Sequence, residues 1–122
     1  LLFRNFIQNI SQGNKDKFKL ALADATEVKY VQLDEIIRLQ AESNYTHIFL
    51  SGNKVFVSAK TLKEYDEILQ GHKFLRVHKS HLVNPAHIDA YDKQGTLVMS
   101  DGSRVEVARR KKEFLQQSLA GK

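Results

Sequence analysis

"FLRVHKSHLVNPAHI", residues 74–88, sets three histidines, a lysine and an arginine among apolar residues that favour strands. Apolar and polar residues alternate on either side of the polar step "HKSH". This reads as two short strands, 74–77 and 81–84, around a bend, with a further strand near 87–92. Strand geometry decides what the histidines can do. His78 and His81 are three apart, a spacing that chelates on a helix but points to opposite faces on a straight strand. The chain has no cysteine, and no carboxylate lies between Glu67 and Asp89, so no metal site is expected. Ser80 has His81 beside it and His78 two residues earlier, but no nearby acid to orient an imidazole and no nucleophile elbow. No glycine-rich phosphate loop occurs elsewhere, so catalysis is not expected and no cofactor is implied. What remains is a set of hydrogen-bond donors suited to phosphates or base edges: Arg76, His78, Lys79, Ser80 and His81. Two blander roles stay open, a core histidine bonded to backbone for His78 and an acid partner for Arg76.

Outward from this stretch the period-two pattern continues. Phe18, Leu20 and Leu22 share one parity; Val28 and Tyr30 alternate with Lys29 and Val31; Ile37, Leu39 and Ala41 alternate with Arg38 and Gln40. "YTHIFL" (45–50) and "KVFVS" (54–58) flank "SGN", a hairpin turn in which Gly52 and Asn53 accept positive φ. "TLVMS" (96–100) and "RVEV" (104–107) flank "DG", a second hairpin signal. The count is about ten short strands with no helix-length crossovers, hence mainly antiparallel pairing. Two short helices interrupt them. "TLKEYDEIL" (61–69) opens with a capping box, Thr61 and Glu64, and puts Leu62, Tyr65 and Leu69 on one face to cover a sheet. "RRKKEFLQQSL" (109–119) is expected to bury Phe114, Leu115 and Leu119 and carries four cations at its amino end. The helix dipole favours acids there, so the arrangement costs stability until an anion arrives.

The 122 residues suit one domain, and their charge is unevenly spread. Net charge is +5 with an isoelectric point of about 9.5. Residues 24–42 hold five acids against two bases, whereas 71–83 hold Lys73, Arg76 and Lys79 with no acid. Residues 104–112 add Arg104, Arg109, Arg110, Lys111 and Lys112 against Glu106 alone. Such clustering is the footprint of a polyanion binder, although charge alone fits a solvated basic face equally well. No apolar run approaches the ~20 residues that span a bilayer, and "LLFRNFIQNI" (1–10) is too polar for a secretory signal. No membrane contact is expected of this segment, and a cytoplasmic location is the default. Phe3, Phe6, Ile7 and Ile10 fall on one helix face before the polar "SQGNKDK" (11–17). Residues 1–16 therefore read as a helical linker from an upstream domain, and 17–122 as the domain proper. The start at Leu1 rather than Met fits a piece of a longer protein.

Three blocks of the chain, in order, carry a family resemblance: "AESNYTHIFLSGNK" (41–54), "FLRVHKSHLVNPAHI" (74–88) and "DGSRVEVARRKKEFL" (101–115). They resemble the LytTR family of bacterial DNA-binding domains over about residues 17–119. The resemblance implies a mainly β fold, an elongated stack of small sheets with few helices. It implies reading of the major groove of double-stranded DNA through loops, commonly by two copies on direct repeats. Carried over by position, it assigns DNA contact to Asn44, Tyr45, Thr46 and His47, to Lys79, and to Arg109 and Arg110, with Arg76 and Ser80 at motif positions as well. Arginine can be bidentate to guanine, so Arg110 or Arg109 is the expected base reader. Lys79 is a weaker specifier, and Lys111 and Lys112 are expected to hold phosphates. Two positions depart from the pattern. Ala108 stands where many relatives have Ser, losing an N-cap worth ~0.5–2 kcal/mol, and His81 stands for a common aromatic.

The expected function is sequence-specific DNA binding by the output domain of a transcriptional regulator, such as a two-component response regulator, behind a receiver or sensor domain. A homodimer on DNA is expected, with 1–10 as a dimerisation surface. The rival is a protein-interaction or ligand-sensing β module, or an RNA binder, using the same basic strip. RNA readers expose stacked aromatics, whereas Phe18, Phe49, Phe56 and Phe74 alternate like core residues and Tyr45 alone is placed as an exposed ring.

Overall fold

The computed structural model describes residues 18–120, with side chains described as far as residue 117. The expected helix over 1–10 and linker 11–17 fall outside the described residues, as does the side chain of Leu119. The chain folds as two units that divide between Glu35 and Ile36.

The first unit is a hairpin of β1 (Lys19–Ala23) and β2 (Val28–Gln32), with Leu20 opposite Val31 and Ala23 opposite Val28. Leu20, Leu22 and Val31 are buried, while Val28 and Tyr30 are exposed. The turn is closed by Asp24, whose Oδ1 accepts from the Thr26 amide at 2.8 Å and the Glu27 amide at 3.0 Å. Those amide bonds hold the Asp24 carboxyl below its usual range.

The second unit contains two antiparallel sheets. β3 (Ile36–Glu42), β4 (Tyr45–Leu50), β5 (Lys54–Ser58), β6 (Leu75–His78) and β7 (His81–Val83) form a five-stranded sheet in the order β5-β4-β3-β7-β6. β8 (Ile88–Asp92), β9 (Thr96–Met99) and β10 (Arg104–Glu106) form a three-stranded meander in the order β10-β9-β8. Both glycine hairpins form as the sequence predicts: Gly52 and Asn53 adopt φ of 81° and 60°, and Gly102 adopts 85°.

Two helices complete the unit. α1 (Leu62–Ile68) has its capping box in place, Thr61 Oγ1 accepting from the Glu64 amide at 3.2 Å and Glu64 Oε2 from the Thr61 amide at 3.1 Å. Leu62, Tyr65 and Leu69 are all buried, and α1 packs against β3 and β7. They meet the sheet face made by Leu39, Ile48 and Leu82, which lie opposite one another across β3, β4 and β7. The Tyr65 hydroxyl donates to Ser58 Oγ on that face at 2.6 Å. The other face of the sheet contributes to a separate core. There Ile37, Val77 and Val83 cluster with Leu97, Met99, Val105, Val107 and Leu115, joining the two sheets to the last helix.

That helix begins later than the sequence predicts. Arg109–Lys111 form a 3-10 turn, and α2 runs Lys112–Ala120. The shift rotates Phe114 out of the core: it is 50 % exposed, while Leu115 is fully buried. Strand parity also fails at register shifts between Ile36 and Arg38, between Arg76 and His78, and between Ile88 and Ala90. The first leaves Ile36, Ile37, Arg38 and Leu39 all buried, where alternation predicts every second residue inside.

Candidate nucleic-acid interface

The antiparallel register gathers the three sequence blocks at one end of the five-stranded sheet. β3 ends at Glu42 and turns through Ser43 and Asn44 into β4, with Glu42 opposite Tyr45. β7 begins at His81, opposite Gln40, so the β6–β7 turn at Lys79 and Ser80 lies at the same end. The Ala41 amide donates to the Ser80 carbonyl at 2.9 Å and fastens the two turns together. The third block arrives through backbone: the Ala108 amide donates to the Val77 carbonyl at 2.8 Å. The start of the last helix is thereby held beside β6. Between them lies an open pocket of about 230 Å3 lined by Arg76, His78, Lys79, Ala108, Arg110 and Lys111.

The β6–β7 turn is braced from both sides. Arg76 Nε donates to the His78 carbonyl at 3.1 Å and Nη2 to the Lys79 carbonyl at 2.8 Å. Its Nη1 makes an ion pair with Asp66 of α1 at 3.0 Å. The Ser80 amide donates to His78 Nδ1 at 3.1 Å, so His78 has the backbone-bonded role that the sequence left open. His78 and His81 do not face apart as a straight strand predicts. The two-residue turn brings them opposite each other, ring centroids 5.2 Å apart.

His81 is partly buried, and its buried Nδ1 has no hydrogen-bond partner among the described residues. Burial, with His78 and Arg38 nearby, pulls its pKa down to about 4, so the ring is neutral at physiological pH. Arg38 itself is only 9 % exposed, a buried cation that parity placed outside. Its guanidinium lies 3.9 Å from the Phe49 ring centroid, donates to Gln40 Oε1 at 2.7 Å, and reaches Ser103 Oγ in the β9–β10 turn at 3.0 Å. Burial lowers its pKa, with Asp101 opposing that shift. For Asp101 burial acts against the charge, but the Ser103 hydrogen bonds and Arg38 outweigh it and hold the carboxyl low.

The predicted contact residues therefore separate. Lys79, Arg109 and Arg110 are exposed, and Lys79, Arg110 and Lys111 converge on the pocket, which Arg109 does not line. Asn44 and Tyr45 are exposed at the same sheet end, outside the pocket, and His47 is half-buried edge-on to Phe49. Ser80 is half-buried in the turn. Thr46 differs from its neighbours: its side chain is 0 % exposed and donates to the Lys60 carbonyl at 2.7 Å. Lys112 is partly diverted as well, its tail lying over buried Gly95, where a Cβ would come within 2.5 Å of Cε and Nζ. The Phe residues expected in the core, Phe18, Phe49, Phe56 and Phe74, are half-buried, and Tyr30 and Phe114 join Tyr45 as exposed rings.

Sequence reasoning missed Asp66 as the partner of Arg76, and Lys60, which follows β5 to the same end of the sheet. Only the helix period of 61–69 could have placed Asp66 beside its buried face. Ala108 makes no side-chain cap, as its chemistry dictates, and the turn is closed by the Lys111 amide on the Ala108 carbonyl at 2.8 Å.

Comparison with known proteins agrees with this architecture. The chain is 33 % identical over 94 residues to the CO-responsive transcriptional regulator RcoM of Rhodospirillum rubrum, covering 75 % of this chain and 39 % of that protein. It is 26 % identical over 110 residues to the sensory transduction protein LytT of Bacillus subtilis, covering 87 % and 45 % respectively. The chain thus spans less than half the length of either relative. Among solved structures it is similar to the LytTr DNA-binding domain of a Bacillus cereus protein. The TM-score is 0.69 at 26 % identity, over 83 % of this chain and 95 % of that one. The family model of the LytTr DNA-binding domain matches residues 26–120, and the chain belongs to that family.

Proposed function

We propose that this chain is the output domain of a bacterial transcriptional regulator and binds duplex DNA through the turns at one end of its five-stranded sheet. The observation that carries the reading is the convergence of Lys79 with Arg110 and Lys111, 31 and 32 residues further along the sequence, on one open pocket. Arg110 has the planar fork that reads guanine in the major groove, and Arg109 beside it is the second candidate. Asn44, Tyr45 and His47 extend the contact along the sheet end, while Lys79 reads guanine or phosphate. Lys111 and Lys112 neutralise phosphates and set affinity rather than sequence.

The domain acts by binding, not catalysis. The relatives' names, a transcriptional regulator and a sensory transduction protein, support an upstream receiver or sensor domain; binding as two copies on direct repeats is part of the same proposal. Among the described residues no helix is long and apolar enough to cross a membrane, and a cytoplasmic location goes with the proposed DNA partner. The test is a titration of random-sequence duplex at two salt concentrations, followed by selection of preferred sites from a random pool. Binding that weakens steeply with salt, together with recovery of a common sequence, is the expected result. No duplex binding at low salt would refute the proposal.

A further inference from the structure

Arg76 lies among the pocket residues, and its charge suggests a phosphate contact. Its geometry says otherwise. One guanidinium holds two successive carbonyls of the turn, His78 and Lys79, at 3.1 and 2.8 Å, and is itself held by Asp66 at 3.0 Å. A guanidinium is rigid and planar, so fixing it from α1 fixes both carbonyls, and with them the direction in which Lys79 leaves the backbone. Asp66 is anchored in turn, because α1 is pinned by its capping box and by buried Leu62, Tyr65 and Leu69. The bulge between Arg76 and His78 is what allows a side chain of β6 to curl back onto its own turn.

We propose that Arg76 and Asp66 are a positioning pair. They clamp the β6–β7 turn in its DNA-reading shape from α1, and Arg76 neutralises no phosphate. This rests on the DNA-binding reading above. It assigns α1, which carries none of the contact residues, a part in sequence discrimination.

The salt dependence of binding separates a clamp from a contact. Each phosphate-neutralising cation contributes about 0.9 to the slope of log K against log salt, whereas a positioning residue contributes nothing. The experiment measures the affinity of the 122-residue chain and its variants for two duplexes of equal length. One is the duplex selected by the unaltered chain, and the other has random sequence. Arg76→Lys keeps the charge but cannot hold two carbonyls and a carboxylate at once. Asp66→Asn leaves Arg76 in place and removes its anchor. Both are expected to lower the preference for the selected duplex about tenfold, a large share of one base contact, with the salt slope unchanged. Arg76→Gln is expected to do the same.

If Arg76→Gln makes the slope shallower by about one phosphate and Arg76→Lys keeps full preference, the clamp is overturned and Arg76 is a direct contact. Preference unchanged in Asp66→Asn also overturns it. Should Arg76→Gln fail to fold, the lysine and asparagine variants decide the matter alone. Loss of all duplex binding by the unaltered chain would refute the DNA reading and the clamp with it. Binding without the predicted variant effects refutes only the clamp.

Discussion

Lys79 and Arg110 line one pocket, yet the segments that carry them are held in opposite ways. The β6–β7 turn is over-determined: three Arg76 bonds, the His78–Ser80 bond and the Ala41–Ser80 backbone bond all fix it. The start of the last helix has little of this. Ala108 supplies no cap, and Arg109–Lys111 form a 3-10 turn. Its footing is the Ala108 amide on Val77 and the burial of Leu115 one helical turn on. Three cations at 109–111 also stand against the helix dipole. On the proposed function, the turn that carries Lys79 is preorganised without ligand, and the segment that carries Arg110 is completed by the anion it would bind. On the same proposal the braced turn would set where the domain sits on the duplex, and the basic segment, with fewer bonds holding it, would fit its arginines to the groove.

The largest test of this contrast removes the looser segment's footing. Leu115→Ala should cost about 2–5 kcal/mol in denaturant unfolding, because Leu115 belongs to the core shared by both sheets. A cost below ~1 kcal/mol would mean that α2 is held by something else. Next comes the braced side. His81 has a folded pKa of about 4 against an ordinary 6.5, so between those values the unfolded chain takes a proton that the folded chain refuses. Its contribution is complete above pH 6.5 and declines as pH falls toward 4, by at most about 3 kcal/mol. His81→Phe should abolish that part of the pH dependence of the melting temperature. The acids with lowered pKa act in a lower window, below their ordinary values of 4.5 for Glu64 and 3.8 for Asp24 and Asp101. An unchanged profile between pH 6.5 and 4.5 would remove His81 from the account.

Arg110→Ala should reduce the preference for a selected duplex over random sequence by about 1–3 kcal/mol. Lys112→Ala should weaken all sequences alike and lower the salt slope by about one. The reverse pattern would exchange their roles. The smallest effect sharpens the comparison itself. Ala108→Ser restores a cap and should raise stability by about 1 kcal/mol in thermal melts. No gain would show that the backbone bond to Val77 already does the capping serine's work.

What the sequence revealed follows from how local each signal is. The Thr61–Glu64 box and the Gly52–Asn53 hairpin turn depend on residues within four positions, and both formed as read. Parity served Leu20, Leu22 and Leu39 but broke at the bulge of β3, so Arg38 went inside, and the two-residue turn set the His78 and His81 rings opposite each other. Thr46 shows what the transfer of a whole block leaves out: it shares a strand with exposed Tyr45 but is buried. The Arg76–Asp66 pair spans ten residues across a helix and a strand, and no periodicity in either element joins them. Leu115 is buried as read, but Phe114 is exposed because a 3-10 turn of three residues delayed the helix.

The central claim is that one end of the five-stranded sheet meets DNA. Backbone amide chemical shifts of the chain, followed during titration with its selected duplex, test it most directly. The largest changes should fall at Ser43–Tyr45, Lys79–Ser80 and Ala108–Lys112, with the hairpin turn at 51–53, at the other end of the sheet, unmoved. Changes centred on 51–53 and the outer strand 54–58 would contradict it.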